Sequence, residues 1–217
     1  MQLTTEGGIA FEAIATGPEE SKAGILLVHD WFGVSEFYQE AATRLGALGY
    51  RVIAVDLYNG GSAETHKDAF ALMQAMKPEN ADGKVNAGLK ALKKDGRKIA
   101  TFGFSLGTEY AFRGAISEAV DAVVIWYGFS PDKTSQLEGF RANALFVYGS
   151  LDGPAADQAA TTSKLMDAQG LKAEIYIYPQ AHHAFAQPLF NAGTTYDPIA
   201  AEAAWVVTED FLERKLK

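Results

Sequence analysis

Along the chain, short apolar runs alternate with stretches whose apolar residues recur every three or four positions. The runs are ILLVH at 25–29, RVIAV at 51–55, KIATF at 98–102, DAVVIWY at 121–127, ALFVY at 144–148 and AEIYIY at 173–178. They are nearly continuous in apolar character, the pattern of strands covered on both faces, and they predict a mostly parallel sheet between helices. The first intervening stretch, SEFYQEAATRLGALGY, puts Phe37, Ala41, Leu45 and Leu48 on one helical stripe, with Ser35 as N-cap and Gly49 as stop. SAETHKDAFALMQAM, DGKVNAGLKALKK and ADQAATTSKLMDAQG predict further helices. The last stretch, PIAAEAAWVVTEDFLERKLK, predicts a helix with Ala203, Val206, Val207, Phe211 and Leu212 on one face and basic residues in its last turn. GGIAFEAIAT, before the first run, reads as an extra edge strand. This alternation predicts an α/β fold, a three-layer sandwich with right-handed crossovers. No repeat, low-complexity tract or linker breaks it, so residues 1–217 are expected to form a single domain.

Composition narrows the classes. Of 217 residues, 48% are apolar and 21% charged, ordinary for a globular protein able to bury a core. There is no cysteine, which excludes disulfides, a cysteine nucleophile and thiolate metal sites. The formal charge of −8, with no basic cluster, argues against nucleic acid or an anionic membrane as partner. The first residues, MQLTTEGGIAFEAIATGPEE, lack the basic start and apolar stretch of a signal peptide, and AGILLV and AVVIWY are far too short to span a bilayer. A cytoplasmic protein is expected, a monomer or small homo-oligomer.

In such sheets ligands gather at the carboxyl ends of the strands, so the informative segments are HDWFGVS, DLYNGGS, GFSLGTE, YGFSP, GSLDGPA and YPQAHHAFAQP. The third holds Gly103-Phe104-Ser105-Leu106-Gly107, a G-x-S-x-G sequence placed between a strand and the helix-forming TEYAFRGAI. A serine exposed on a strained strand-to-helix turn needs small neighbours two residues either side. The competing reading is a turn with an incidental serine. A nucleophilic serine needs a base and an orienting acid, which in this fold class follow in the order nucleophile, acid, base. Asp152 lies just beyond ALFVY, and His182 and His183 just beyond AEIYIY. Asp152-Gly153 could equally be a simple turn pair, Asp157 is expected inside the next helix, and only one of the adjacent histidines can be the base. His29 and His66 read as a loop histidine and a solvent-facing helix residue. An oxyanion hole would use the N–H of Leu106, just after the serine, and that of Trp31 in the first loop. No metal or nucleotide motif is present, and no cofactor is expected.

Taken in order, HDWFGVSEFYQEAATRLGALGYRVIAVDLYNG, GFSLG, YG, VYGSLD, YPQAHHAF and the closing AEAAW and FL resemble the dienelactone hydrolase family of α/β-hydrolases over about residues 20–215. The resemblance implies Ser105 as nucleophile, in a position often held by cysteine, Asp152 as acid and His183 as base. It implies Trp31 and Leu106 as oxyanion donors. Asp30 stands where type members carry a glutamate, Tyr127 falls on a family Tyr-Gly pair, and Gln187 replaces an arginine that pairs with the dienelactone carboxylate. The usual second glycine of the nucleophile motif is Thr108, followed by Glu109. The expected activity is hydrolysis of a small carboxylic ester or lactone through an acyl-enzyme. Asp30, Phe32, Tyr58, Tyr127, Phe185 and Gln187 are expected around the substrate, the aromatic members as an apolar lining unless they belong to the core. Two other expectations compete: peptide or thioester cleavage by the same residues, or a binding protein on a hydrolase scaffold.

Overall fold

The structure is a computed structural model, and it describes residues 1–188 and 193–217. The eight strands of its sheet run in the spatial order β1-β2-β4-β3-β5-β6-β7-β8. Six of them are the predicted runs: β3 (Ala23–Val28), β4 (Arg51–Val55), β5 (Lys98–Phe104), β6 (Ala122–Trp126), β7 (Asn143–Gly149) and β8 (Ala173–Tyr178), all parallel to their neighbours in that set. The predicted edge strand is β2 (Ala10–Thr16), antiparallel to β4. Beyond it lies β1 (Gln2–Thr4), too short and too polar to have left a pattern in the sequence.

Successive residues of each central strand serve opposite faces. Ile25 and Leu27 of β3 enter one core with Phe102, Phe104 and Trp126, under α1 (Glu36–Ala47) and α6 (Pro198–Leu216). Leu26 and Val28 enter the other with Ile53, Val55 and Phe146, under α3 (Pro78–Leu92), α4 (Gly107–Ser117) and α5 (Pro154–Ala168). Burial on both faces is why the runs of β3 to β7 lack alternation, whereas β8, last in the strand order, leaves Tyr176 and Ile177 exposed. The remaining helix, α2 (His66–Ala75), buries only Ala69 and sits at the carboxyl side of β4.

Two helix faces differ from expectation. In α1 the buried residues are Tyr38, Ala41, Ala42 and Leu45, while Leu48 is exposed as the C-cap, and Ser35 holds the N-cap position without a side-chain bond. In α6, Val206 is exposed, and the buried face runs through Ala200, Ala204, Trp205, Thr208, Phe211 and Leu212. The cause is Trp126, fully buried on β6. Its ring packs against Trp205 at 5.0 Å, and its indole N–H donates to Thr208 Oγ1 at 3.0 Å. A buried indole needs that acceptor, so a threonine turns inward and a valine outward. The α3 helix begins earlier than expected, at Pro78, where the missing N–H costs no helix bond. None of the described helices is long and apolar enough to cross a membrane.

Candidate active site

The turn at the end of β5 holds Ser105 in a strained conformation. Ser105 has φ +47, in the left-handed region, a conformation that costs a residue bearing a Cβ roughly 1–2 kcal/mol. Its surroundings enforce it. The Ser105 N–H donates to Trp126 O at 3.0 Å, and its carbonyl accepts from Thr108 Oγ1 at 2.5 Å. A Cβ at Gly103 would lie 2.6 Å from Gly107 O, and one at Gly128 would lie 2.2 Å from Thr108 Oγ1. Thr108 is fully buried and also accepts the Phe129 N–H at 2.6 Å, so it clasps the turn to the loop after β6. The substitution of a threonine for the family's usual glycine therefore has a structural job. Glu109 points outward and pairs with Arg113 at 2.6 Å one helical turn on, rather than lying behind the serine.

The acid and base loops are joined to each other. Leu151 N–H donates to Ala181 O at 2.9 Å, Ser150 N–H to Tyr178 O at 2.9 Å, and Gln180 N–H to Ser150 Oγ at 2.9 Å. Gly149 permits this, because a Cβ there would lie 2.3 Å from Ala181 O. The result is a continuous hydrogen-bonded array. His183 Nδ1–H donates to Asp152 Oδ1 at 2.8 Å, and His183 Nε2 stands 2.9 Å from Ser105 Oγ. The Asp152 contact fixes the imidazole tautomer that turns the Nε2 lone pair toward Ser105 Oγ. The Asp152 side chain is buried while that of His183 is 38% exposed, so the carboxyl is shielded and the imidazole reaches solvent. His182 is exposed beside it, and Asp157 lies in the first turn of α5, as the spacing suggested.

Leu106 is the N-cap of α4, where the backbone N–H has no intrahelical acceptor and the helix dipole favours negative charge. A Cβ at the adjacent Gly107 would lie 2.3 Å from His29 O, so the helix start is pressed against the end of β3. Trp31 follows two residues after His29, in a turn closed by a Phe32 N–H bond to Asp30 Oδ1 at 2.8 Å. The two amides expected to bind an oxyanion are thus carried by backbone segments in direct contact.

The residues expected around a substrate divide into two groups. Trp31, Phe32 and Tyr58 are partly exposed, whereas Asp30, Tyr127, Phe185 and Gln187 are buried. Tyr127 stands beside His183, with ring centroids 5.6 Å apart, and packs on Phe185 at 5.6 Å. Both are core residues that wall His183. The Gln187 amide points inward, to Asp30 Oδ2 at 2.6 Å and Tyr38 Oη at 3.0 Å. Burial raises the Asp30 carboxyl above its ordinary range, and raises the Tyr38 and Tyr127 phenols well above theirs. Pattern reading missed Tyr38, an aromatic at an apolar helix position. His66 is exposed at the start of α2, as the sequence suggested, and its ring packs on Trp31 and Phe32 at 5.5 Å each.

His29 is a loop histidine just beyond β3, and it is buried. Its Nε2 accepts the Leu57 N–H at 2.9 Å and its Nδ1 faces Asp30 O, so both nitrogens are used by the neutral ring. Burial, opposed only in part by Asp30 O and Asp56, pushes its pKa down to about 4. The unfolded ring takes up its proton near pH 6.5, the folded one only near 4. Stability from this residue is complete above about pH 6.5 and is lost as pH falls towards 4, by about 3 kcal/mol. Urea unfolding at several values between pH 7.5 and 4 is expected to show that slope in the wild type and a shallower one in His29→Gln.

The family model for the dienelactone hydrolase family matches residues 11–216. A carboxymethylenebutenolidase of Pseudomonas putida is 26% identical, the match covering 98% of this chain and 94% of that protein. Among solved structures, a dienelactone hydrolase-like promiscuous phosphotriesterase from metagenomic libraries superposes with a TM-score of 0.86 at 20% identity, covering 100% of this chain and 98% of the other. A dienelactone hydrolase from Anabaena variabilis does so with a TM-score of 0.75 at 19% identity, covering 100% and 99%. The eight-stranded sheet and its helices are the α/β-hydrolase fold. The ordered motifs and the match from residue 11 to residue 216 agree: the chain belongs to the dienelactone hydrolase family.

Proposed function

We propose that this protein is a serine hydrolase that cleaves a small, uncharged carboxylic ester or lactone through an acyl-enzyme on Ser105. The observation that carries the reading is the array from Ser105 Oγ through His183 to Asp152, with contacts of 2.9 and 2.8 Å. In the first half-reaction Ser105 Oγ attacks the carbonyl carbon as His183 Nε2 takes its proton. Asp152 steadies the imidazolium, and the amides of Leu106 and Trp31 hold the oxyanion. His183 then gives the proton to the departing alkoxide. In the second half-reaction a water, deprotonated by the same nitrogen, attacks the acyl carbon and Ser105 regains its proton. The amide at position 187 is committed to Asp30 and Tyr38, so it offers a substrate carboxylate no cation there, which favours an uncharged substrate. The partly exposed rings of Trp31, Phe32 and Tyr58 suit an unsaturated or aromatic group. The relative's printed name, carboxymethylenebutenolidase, agrees with the lactone class.

The test has two arms. A fluorophosphonate probe is expected to label the wild-type protein once, on the Ser105 peptide by mass spectrometry, and folded protein that stays unlabelled would reduce it to a binding scaffold. A panel of neutral esters, carboxylate-bearing lactones, thioesters and peptide amides is expected to give the highest kcat/KM for the neutral esters and lactones. Preference for the carboxylate-bearing members would overturn the assignment of an uncharged substrate, and preference for amides or thioesters would overturn the reaction class.

A further inference from the structure

Three buried side chains join the loop of the proposed base to the turn of the proposed oxyanion site, beside the chemistry rather than in it. Asp30, fully buried, accepts the Phe32 N–H at 2.8 Å on Oδ1 and the Gln187 amide at 2.6 Å on Oδ2. Gln187 gives a second bond to Tyr38 Oη at 3.0 Å, and that hydroxyl accepts the Asp30 N–H at 2.9 Å. Gln187 follows His183 by four residues, and its own N–H closes a turn on Ala184 O at 2.9 Å. One carboxylate therefore grips the 30–33 turn, which carries the Trp31 amide, with one oxygen. With the other it grips the 183–187 turn, which carries the imidazole.

The geometry points to Asp30 and Gln187 as positioning residues that hold the Trp31 amide and the His183 ring at a fixed separation. This rests on the serine-hydrolase reading above. Three features favour it over the substrate contact expected from sequence. Both side chains are buried, Gln187 at 6% exposure. An amide nitrogen has two hydrogens, and both are engaged by Asp30 and Tyr38. A carboxyl–amide bond shut away from water stays formed, which suits a strut better than a site that must open to each substrate. The strut matters because oxyanion donors and base act on the same carbonyl within a tolerance well under an ångström.

Gln187→Met keeps length and apolar volume but removes both donors. It is expected to lower kcat on p-nitrophenyl acetate by about tenfold or more, in line with the cost of sub-ångström misplacement, with KM nearly unchanged. Gln187→Glu sets a second carboxyl against Asp30 and is expected to lose as much. Adding Asp30→Asn to Gln187→Glu restores a donor–acceptor pair with the roles exchanged, while the carboxamide oxygen introduced at position 30 still accepts from Phe32. That double variant is expected to recover most of the lost kcat. Were Gln187→Met not to fold, the reciprocal pair carries the test. A rise in KM at constant kcat would return Gln187 to the substrate. A lower melting temperature at unchanged kcat, or no recovery in a folded double variant, would reduce the pair to a fold contact. Fluorophosphonate separates the readings: wild type labelled, with Gln187→Met labelled equally fast, overturns the strut alone, while unlabelled wild type overturns the hydrolase reading beneath it.

Discussion

Ser105→Ala is expected to lower kcat on a small ester by about a hundred-thousandfold or more, the loss typical of removing a nucleophile whose partners act with it as a unit. The expectation follows from the division of labour proposed for the site. His183 accepts a proton at Nε2 only usefully if the atom losing it, Ser105 Oγ at 2.9 Å, is the one that attacks. Without Oγ no acyl-enzyme forms, and the oxyanion donors and an activated water leave a small residual rate. The fold is expected to tolerate the change. Alanine, like serine, bears a Cβ at φ +47, and the bonds that impose that angle run through the main chain of residue 105, to Trp126 O and from Thr108 Oγ1. Circular dichroism melting should therefore move by little while steady-state turnover collapses and the fluorophosphonate adduct disappears. A variant that melts like the wild type and keeps more than about a hundredth of its kcat would place the nucleophile elsewhere.

The sheet was legible in the sequence because its central strands are buried on both faces, so a nearly unbroken apolar run and a strand mean the same thing. Helix faces were less legible. The 3.6-residue period locates a stripe but does not say which neighbour it meets, and the Trp126 indole, invisible to a count of apolar positions, turned Thr208 inward and left Val206 in solvent. The same distinction runs through the site. Ser105, Asp152 and His183 stand after their own strands, and strand ends are what a pattern of runs locates; the structure brings these three together. Asp30 and Gln187 lie 157 positions apart, and no local signal says that they bond to each other rather than face a ligand. Thr108 is similar. Its sequence position marks a departure from the family motif, but its use, clasping Ser105 O and Phe129 N–H, exists only once β6 lies beside β5.

Gly107→Ala is the substitution expected to damage fold and activity together. A Cβ at this position would lie 2.3 Å from His29 O, 2.4 Å from Val28 O and 2.8 Å from Val28 C, all main-chain atoms of the segment ending β3. No side chain can rotate away, so the start of α4 must retreat from the sheet. Over-packing a tight core costs about 1–3 kcal/mol when side chains absorb it, and a clash against fixed backbone belongs at or above the top of that range. The retreat also carries the Leu106 amide, the N-cap of α4, away from the 30–33 turn and Trp31. Losing one donor of an oxyanion site costs on the order of a hundredfold in kcat, so the folded fraction of Gly107→Ala should be slow as well as scarce. Gly83→Ala is the control. Gly83 lies in α3 with nothing closer to a built Cβ than Thr5 Cγ2 at 3.5 Å, and alanine there is expected to stabilise by about 1 kcal/mol through helix propensity. Urea unfolding gives the stability of each variant, and titration with fluorophosphonate gives the concentration of competent sites, so kcat can be expressed per folded molecule. A Gly107→Ala protein with wild-type kcat per labelled site would mean that the Leu106 amide does not depend on the contact between α4 and β3, and the oxyanion assignment would have to move to other donors.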